Sequence, residues 1–223
     1  MKAAHVETLF ARLQAANPQP VSELHYRNSF ELLVAVVLSA QATDAGVNKA
    51  TPALFAAAPT PQAMARLDED AVAGYIRTIG LYRTKARNVL ALSRALVESH
   101  AGQVPSTREA LEALPGVGRK TANVVLNVAF GEPTLAVDTH VLRVANRLGL
   151  ARSSKPLEVE QALLKLVPAA YAHDAHHWLI LHGRYVCKAR QPECWRCALA
   201  DLCPYKPKTA LPARKTAERG RPS

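Results

Sequence analysis

Val6, Leu9, Phe10 and Leu13 stand at the three- and four-residue spacing that gives a helix one apolar face. Further on, Phe30 to Leu38 is apolar almost throughout, with a length that suits a buried strand and a buried helix alike. Its leucines and alanines, and the lack of alternating β-branched partners elsewhere, favour the helix. So does the Asn28-x-x-Glu31 pair in front of it, which has the form of a capping box. Thr60-Pro61, Asp68 and Ser106-x-x-Glu109 read as further helix starts, and Gly80, Gly102, Gly131 and Gly149 as stops. Between them lie Thr121 to Phe130, a short apolar helix, and Val141, Leu142, Val144, Ala145 and Leu148, the face of another that begins just after Asp138. The pattern predicts an all-α protein, with no internal repeat or low-complexity stretch before Lys206.

Charge then narrows the partner. The 223 residues suffice for one domain or two modest ones, and they carry a formal net charge of +10. That excess favours a polyanion, with nucleic acid ahead of membrane because no basic amphipathic surface helix stands out; a merely solvated basic surface is the alternative. Half of the excess lies in Lys206 to Ser223, a segment with three prolines and no apolar period. It reads as a disordered basic tail that adds nonspecific DNA affinity. The N-terminus lacks the apolar core of a signal peptide, and the longest apolar run, Leu32 to Leu38, is too short to span a bilayer. A soluble, cytoplasmic, nucleoid-associated protein without membrane contact is therefore expected.

Three groups of residues carry candidate chemistry. In Leu114-Pro-Gly-Val-Gly-Arg-Lys-Thr-Ala-Asn123, two glycines flank Val117 just before a helix whose first turn holds Lys120. Gly116 and Gly118 permit positive φ and leave no Cβ in the way, so a turn here can aim N–H groups at a phosphate. Taken alone, a Gly-x-Gly of this kind is also an ordinary turn. A lysine nucleophile must first lose its proton, at a cost of about 4 kcal/mol at neutral pH. A helix N-terminus offers only about 0.3–1 kcal/mol of that. Partial burial, a neighbouring cation such as Arg119, or a base must supply the rest. Asp138, eighteen residues on, is the available base. It also stands where an N-cap belongs, worth about 1 kcal/mol, and both roles are compatible because one oxygen can cap while the other does chemistry.

The third group is the cysteines. All four fall in Cys187-x6-Cys194-x2-Cys197-x5-Cys203. In a reducing compartment such clustering points to metal before disulfides, and a compact ladder with a single C-x2-C pair suits an iron–sulfur cubane better than zinc. Lys188 and Arg190, in the first loop of the ladder, can touch phosphate or simply be solvated. His173, His176, His177 and His182 do not form H-E-x-x-H and share their segment with Trp178, Leu179 and Ile180, so they read as surface and packing residues.

With Leu114-Pro-Gly-Val-Gly-Arg-Lys120, Val137-Asp-Thr-His140 and the six, two, five cysteine spacing in this order, the chain closely resembles the endonuclease III family of helix-hairpin-helix DNA glycosylases with an attached iron–sulfur cluster. The likeness runs from about residue 5 to 205 and includes Leu38-Ser-Ala-Gln-Ala-Thr-Asp44, Thr78-Ile-Gly-Leu-Tyr82 and His176-His-Trp-Leu-Ile-Leu-His-Gly-Arg184. It implies a six-helix barrel-like domain at roughly 22–132 and a cluster domain made of 1–21 and 133–205, with damaged double-stranded DNA in the groove between them. It implies one 4Fe-4S cluster on the four cysteines, and a monomer without an obligate protein partner. It also implies that Lys120 attacks C1′ of an everted oxidised pyrimidine nucleotide, helped by Asp138, and that the resulting Schiff base nicks the strand by β-elimination, in keeping with base flipping. Gln41 and Leu81 match the residues that fill and wedge the gap left in the helix, although Gly80 gives Leu81 equal support as a core leucine before a helix stop. Gly116, Val117 and Gly118 match the phosphate-holding hairpin. Lys120 argues against the adenine-removing sibling, which generally lacks it. The remaining alternatives are a mismatch-thymine or uracil glycosylase and a noncatalytic DNA-binding module.

Overall fold

The computed structural model describes residues 2–212, and several of its helices grow from the caps and apolar faces of the sequence. In chain order they are α1 (Ala3–Ala16), α2 (Ser29–Leu38), α3 (Asp44–Ala57), α4 (Pro61–Ala65), α5 (Glu69–Ile76), α6 (Tyr82–Ser99), α7 (Arg108–Glu112), α8 (Arg119–Phe130), α9 (Thr139–Leu148), α10 (Pro156–Leu166) and α11 (Ala175–Tyr185). No strand occurs among the described residues. The Phe30 to Leu38 run is a helix buried on every side, and half of its capping box is formed: Asn28 accepts from the Glu31 N–H at 2.9 Å, but Glu31 accepts from the N–H of Arg27, one residue before the cap, at 2.8 Å.

Thr60, Asp68 and Asp138 cap α4, α5 and α9, and Gly131 and Gly149 end α8 and α9 in the left-handed region. Other expected boundaries move. Thr107, not Ser106, caps α7, its hydroxyl accepting from the Ala110 N–H, so the Ser106-x-x-Glu109 pattern is out of register by one residue. The first helical residue of α8 is Arg119, not Thr121. Gly80 stops nothing, because α5 ends at Ile76 and Gly80 sits in the loop before α6.

Two apolar cores result. The first is built by α2 to α8, from Leu24 through Leu32, Leu54, Ile76, Leu92 and Leu111 to Ala136. Where the resemblance implied six helices, this stretch carries seven, two of them only five residues long. The second core joins α1 to α9, α10 and α11, which are far from it in sequence. The apolar face of α1 explains that union: Phe10 stacks on Tyr171 at 5.9 Å and lies 6.4 Å from Trp178, whose indole N–H donates to the Asn17 carbonyl at 2.8 Å.

The passage between the cores sets up the site. Leu135 and Val137 bury into the second core while Ala136, between them, buries into the first, as alternate residues of an extended segment do. Two buried asparagines one turn apart on α8 hold that segment. Asn123 donates to the Leu135 carbonyl at 3.1 Å, and Asn127 donates to Glu132 at 3.0 Å and His173 at 2.9 Å. The chain is thus anchored on both cores immediately before Asp138.

Candidate active site

Lys120 and Asp138 face one cavity of about 600 Å³, which is bounded by Ser39 to Asp44 on one side and by Thr139, His140 and Arg184 on the other. That volume is in the range of small-ligand pockets, roughly 300–1,000 Å³. Asp138 performs the cap, and with one oxygen only. Its Oδ1 accepts from the N–H groups of His140 and Val141, both at 2.8 Å, while Oδ2 has no protein partner among the described residues. The carboxylate is therefore immobilised with a free oxygen, the combination in which capping and chemistry coexist.

Lys120 lies on the first turn of α8, as the sequence requires, but it is exposed rather than partly buried. The neighbouring cation does not assist either: Arg119 turns away to make a bidentate pair with buried Glu160, at 2.9 and 2.8 Å. Its charge is spent on fastening α8 to α10. Of the three aids to proton loss, burial and a neighbouring cation are missing from the free protein, and Asp138 remains.

The glycine hairpin divides its work. Gly116 alone has positive φ (+77°), and a Cβ there would meet the Asn88 side chain at 2.9 Å. Gly118 is in extended backbone at the N-cap of α8, brings no capping side chain, and a Cβ there would meet nothing. Gly116 thus answers to the fold, and Gly118 leaves open space in front of the free N–H groups of the helix end. Gly116→Ala is expected to cost roughly 1–3 kcal/mol of stability in denaturant titrations. Gly118→Ala should cost less stability, under about 1 kcal/mol, yet weaken duplex binding; equal loss of stability in the two would contradict this division. Val117, between them, is buried in the first core.

Gln41 and Leu81 share an unusual feature. Both are non-glycine residues in the left-handed region, at φ +54° and +59°, where such residues cost on the order of 1–2 kcal/mol. Gln41 lines the cavity. Leu81 precedes α6 at the tip of its loop and is 61% exposed, so the reading of it as a core leucine is corrected.

The four cysteines are free thiols around a single second cavity, together with His182, Arg147, Tyr205 and Lys208. Arg143 and Arg147, one turn apart on α9, grip this loop. Arg143 donates to the carbonyls of Cys187 and Gly183 at 3.0 and 2.9 Å, and Arg147 to Lys188 and Ala189 at 2.7 and 2.8 Å. Arg147 also approaches the Cys187 sulfur at 3.5 Å and lies 4.5 Å over the Tyr205 ring. Because Asp138 caps this same helix, the cysteine loop and the candidate base share one rigid element. Neither arginine was picked out from the sequence, where the only signal was a polar pair at i, i+4.

Lys188 is paired with Glu193 at 2.5 Å, whereas Arg190 is exposed and makes no ion pair among the described residues. His176 and His177 are packing residues as expected, and His173 is exposed beside Asp174. His182 instead enters the cysteine cavity, with Nε2 3.7 Å from the Cys197 sulfur. The start of the supposed tail is also held: Thr209 accepts from the Cys194 N–H at 3.2 Å, and Lys208 donates to the Cys203 carbonyl at 2.7 Å. The rest of that segment, 213–223, lies outside the described residues. No described helix is long and apolar enough to cross a membrane.

Comparison with known proteins places this geometry. Residues 34–169 match the family model of the HhH-GPD superfamily base excision DNA repair proteins. The chain is 60% identical over 198 residues to endonuclease III of Treponema pallidum, covering 89% of this chain and 94% of that protein. It is 58% identical over 210 residues to endonuclease III of Escherichia coli K12, covering 94% and 99%. A trapped endonuclease III–DNA covalent intermediate superposes with a TM-score of 0.87 at 47% identity, over 92% of this chain and 96% of that one. A thermostable thymine-DNA glycosylase, at 24% identity and a TM-score of 0.82, shares the fold.

Proposed function

Since the chain belongs to the HhH-GPD superfamily of base excision DNA repair proteins, and to the endonuclease III group within it, we propose that Lys120 and Asp138 carry out its DNA glycosylase and abasic-site lyase activity. The observation that supports this most is the shared cavity, in which an exposed primary amine faces a carboxylate pinned by one oxygen and free at the other. An everted nucleotide entering that cavity displaces water and supplies the desolvation that Lys120 lacks in the free protein.

In the proposed reaction Asp138 Oδ2 accepts a proton from the lysine ammonium. The amine lone pair then bonds to C1′ as the glycosidic bond breaks and its electrons leave with the base. Opening of the sugar gives a Schiff base on Nζ, and loss of a C2′ proton expels the 3′ phosphate. Oxidised pyrimidines are the proposed lesions. The exposed Leu81 and the cavity-lining Gln41, both held by strained backbone, suit residues that enter the duplex without ordering first. The Gly116–Gly118 hairpin is the proposed phosphate contact, with Arg190 better placed than the paired Lys188 for another. The corresponding domain division is 22–132 for the barrel and 1–21 with 133–205 for the cluster domain, DNA lying between. Borohydride reduction on duplex DNA bearing thymine glycol or an abasic site tests the reading: a covalent protein–DNA adduct is expected, and its absence with both substrates would overturn it.

For the cysteines the proposed occupant is one 4Fe-4S cluster on Cys187, Cys194, Cys197 and Cys203. Four thiols ring one cavity, and their compact spacing with a single C-x2-C pair suits a cubane cluster. Such a cluster would act as a structural pin across the loop, with Arg147 as a nearby positive charge. The purified protein should be brown, with the broad visible absorption of iron–thiolate ligation and matching iron and sulfide content. A colourless protein holding stoichiometric zinc would overturn this assignment.

A further inference from the structure

One side chain in the cysteine cavity has no part in the proposed ligand set. His182, in the last turn of α11, reaches into that cavity with Nε2 3.7 Å from the Cys197 sulfur. Its main chain is held just as closely. The His182 carbonyl accepts from the N–H groups of Val186 and Cys187, at 3.0 and 2.7 Å, where the helix gives way to the cysteine loop. Arg143, from α9, tightens the same turn by donating to the Gly183 carbonyl at 2.9 Å. The backbone of His182 thus fixes the first cysteine of the ladder while its ring meets the third.

We propose that His182 donates a hydrogen bond from Nε2 to the Cys197 sulfur in the loaded protein, and that this donor sets how readily the cluster gives up an electron. The inference rests on the 4Fe-4S reading of the cavity. As a free thiol, Cys197 can donate to the ring. A sulfur that ligates iron has lost its proton and only accepts, so the nitrogen facing it carries the hydrogen. Four thiolates outweigh the charge of the iron–sulfide core they bind, which makes the loaded cavity anionic, and more so with each added electron. A donor aimed at a ligand sulfur therefore favours the reduced level and raises the reduction potential. The cations of the same cavity serve the loop as well: Lys208 donates to the Cys203 carbonyl at 2.7 Å, and Arg147, 3.5 Å from the Cys187 sulfur, donates to the carbonyls of Lys188 and Ala189. Removing either disturbs the loop along with its charge. The His182 ring can be changed with less damage, because the hold of this residue on Cys187 is through its backbone.

Two substitutions separate this role from packing. His182→Phe keeps a ring and removes the donor, whereas His182→Gln sets an amide NH2 near the position of Nε2. Variants with the same iron and sulfide content as the unmodified protein are compared with it by direct electrochemistry in the absence of DNA. In His182→Phe the one-electron midpoint potential is expected to fall by roughly a tenfold change in the ratio of oxidised to reduced protein, or about 59 mV. His182→Gln should recover most of that shift, which a ring that only fills space would not allow. A His182→Phe midpoint unchanged within about twofold in that ratio, or a His182→Gln midpoint as low as that of the phenylalanine variant, would overturn the inference and leave the cluster assignment standing. Should either variant fail to load, a high-resolution crystal structure of the loaded, unmodified protein decides: Nε2 within hydrogen-bond distance of the Cys197 sulfur supports the inference, and a ring turned away from it overturns it. An unmodified protein without iron removes the cluster reading itself, and this inference falls with it.

Discussion

Lys120→Ala is expected to abolish borohydride trapping and to slow excision and strand cleavage by about a thousandfold or more, equivalent to roughly 4 kcal/mol of barrier. The reason is that no other lysine among the described residues lines the cavity, and Arg184, which does, is held in ion pairs with Asp44 and Glu23. Folding should be unaffected, because the side chain is exposed. Duplex affinity should fall only modestly, with a salt dependence shallower by about one phosphate contact at most. Gel analysis of trapped adducts alongside fluorescence binding checks both halves. An alanine variant that traps as well as the parent would remove Lys120 from the chemistry.

The second large effect concerns Asp138, where the geometry permits a cleaner test than deletion. Asn keeps an amide oxygen in the position of Oδ1, so the N–H groups of His140 and Val141 retain their acceptor and α9 its cap. What changes is Oδ2, which becomes an NH2 group that cannot take a proton. Asp138→Asn should therefore melt within about 1 kcal/mol of the parent and bind damaged duplex normally, while excision falls by roughly 100- to 10,000-fold, the range of general base catalysis. Asp138→Ala should lose the cap as well. Normal turnover by Asp138→Asn would reduce this residue to a helix cap.

The element boundaries that were legible are those that depend on local chemistry. Asn28, Thr60, Asp68 and Asp138 cap through their own side chains, and Gly131 and Gly149 supply the left-handed residue a helix end needs. Where two adjacent residues offer the same chemistry, as Ser106 and Thr107 do, the pattern does not decide between them, and the fold uses the second. Gly80 misled for another reason: a glycine marks a bend without saying whether a helix or a loop precedes it.

The site divides in the same way. The motif residues, their spacing and their order along the chain sufficed for the all-α class and for the family, and they singled out Lys120, Asp138 and the four cysteines. They were silent on contacts between residues distant in sequence. Only the folded chain shows Arg119 consumed by Glu160, forty-one positions away. Only there do Arg143 and Arg147 fasten the cysteine loop to the helix that Asp138 caps, while Lys120 stands exposed beside a carboxylate with one free oxygen. Local sequence determines which residues can cap, turn or donate, because those interactions reach only a few positions. Whether a charge is free or paired, and whether an amine is buried or open, depends on which helices pack together, and that is decided by the two cores and the asparagine-held segment that joins them.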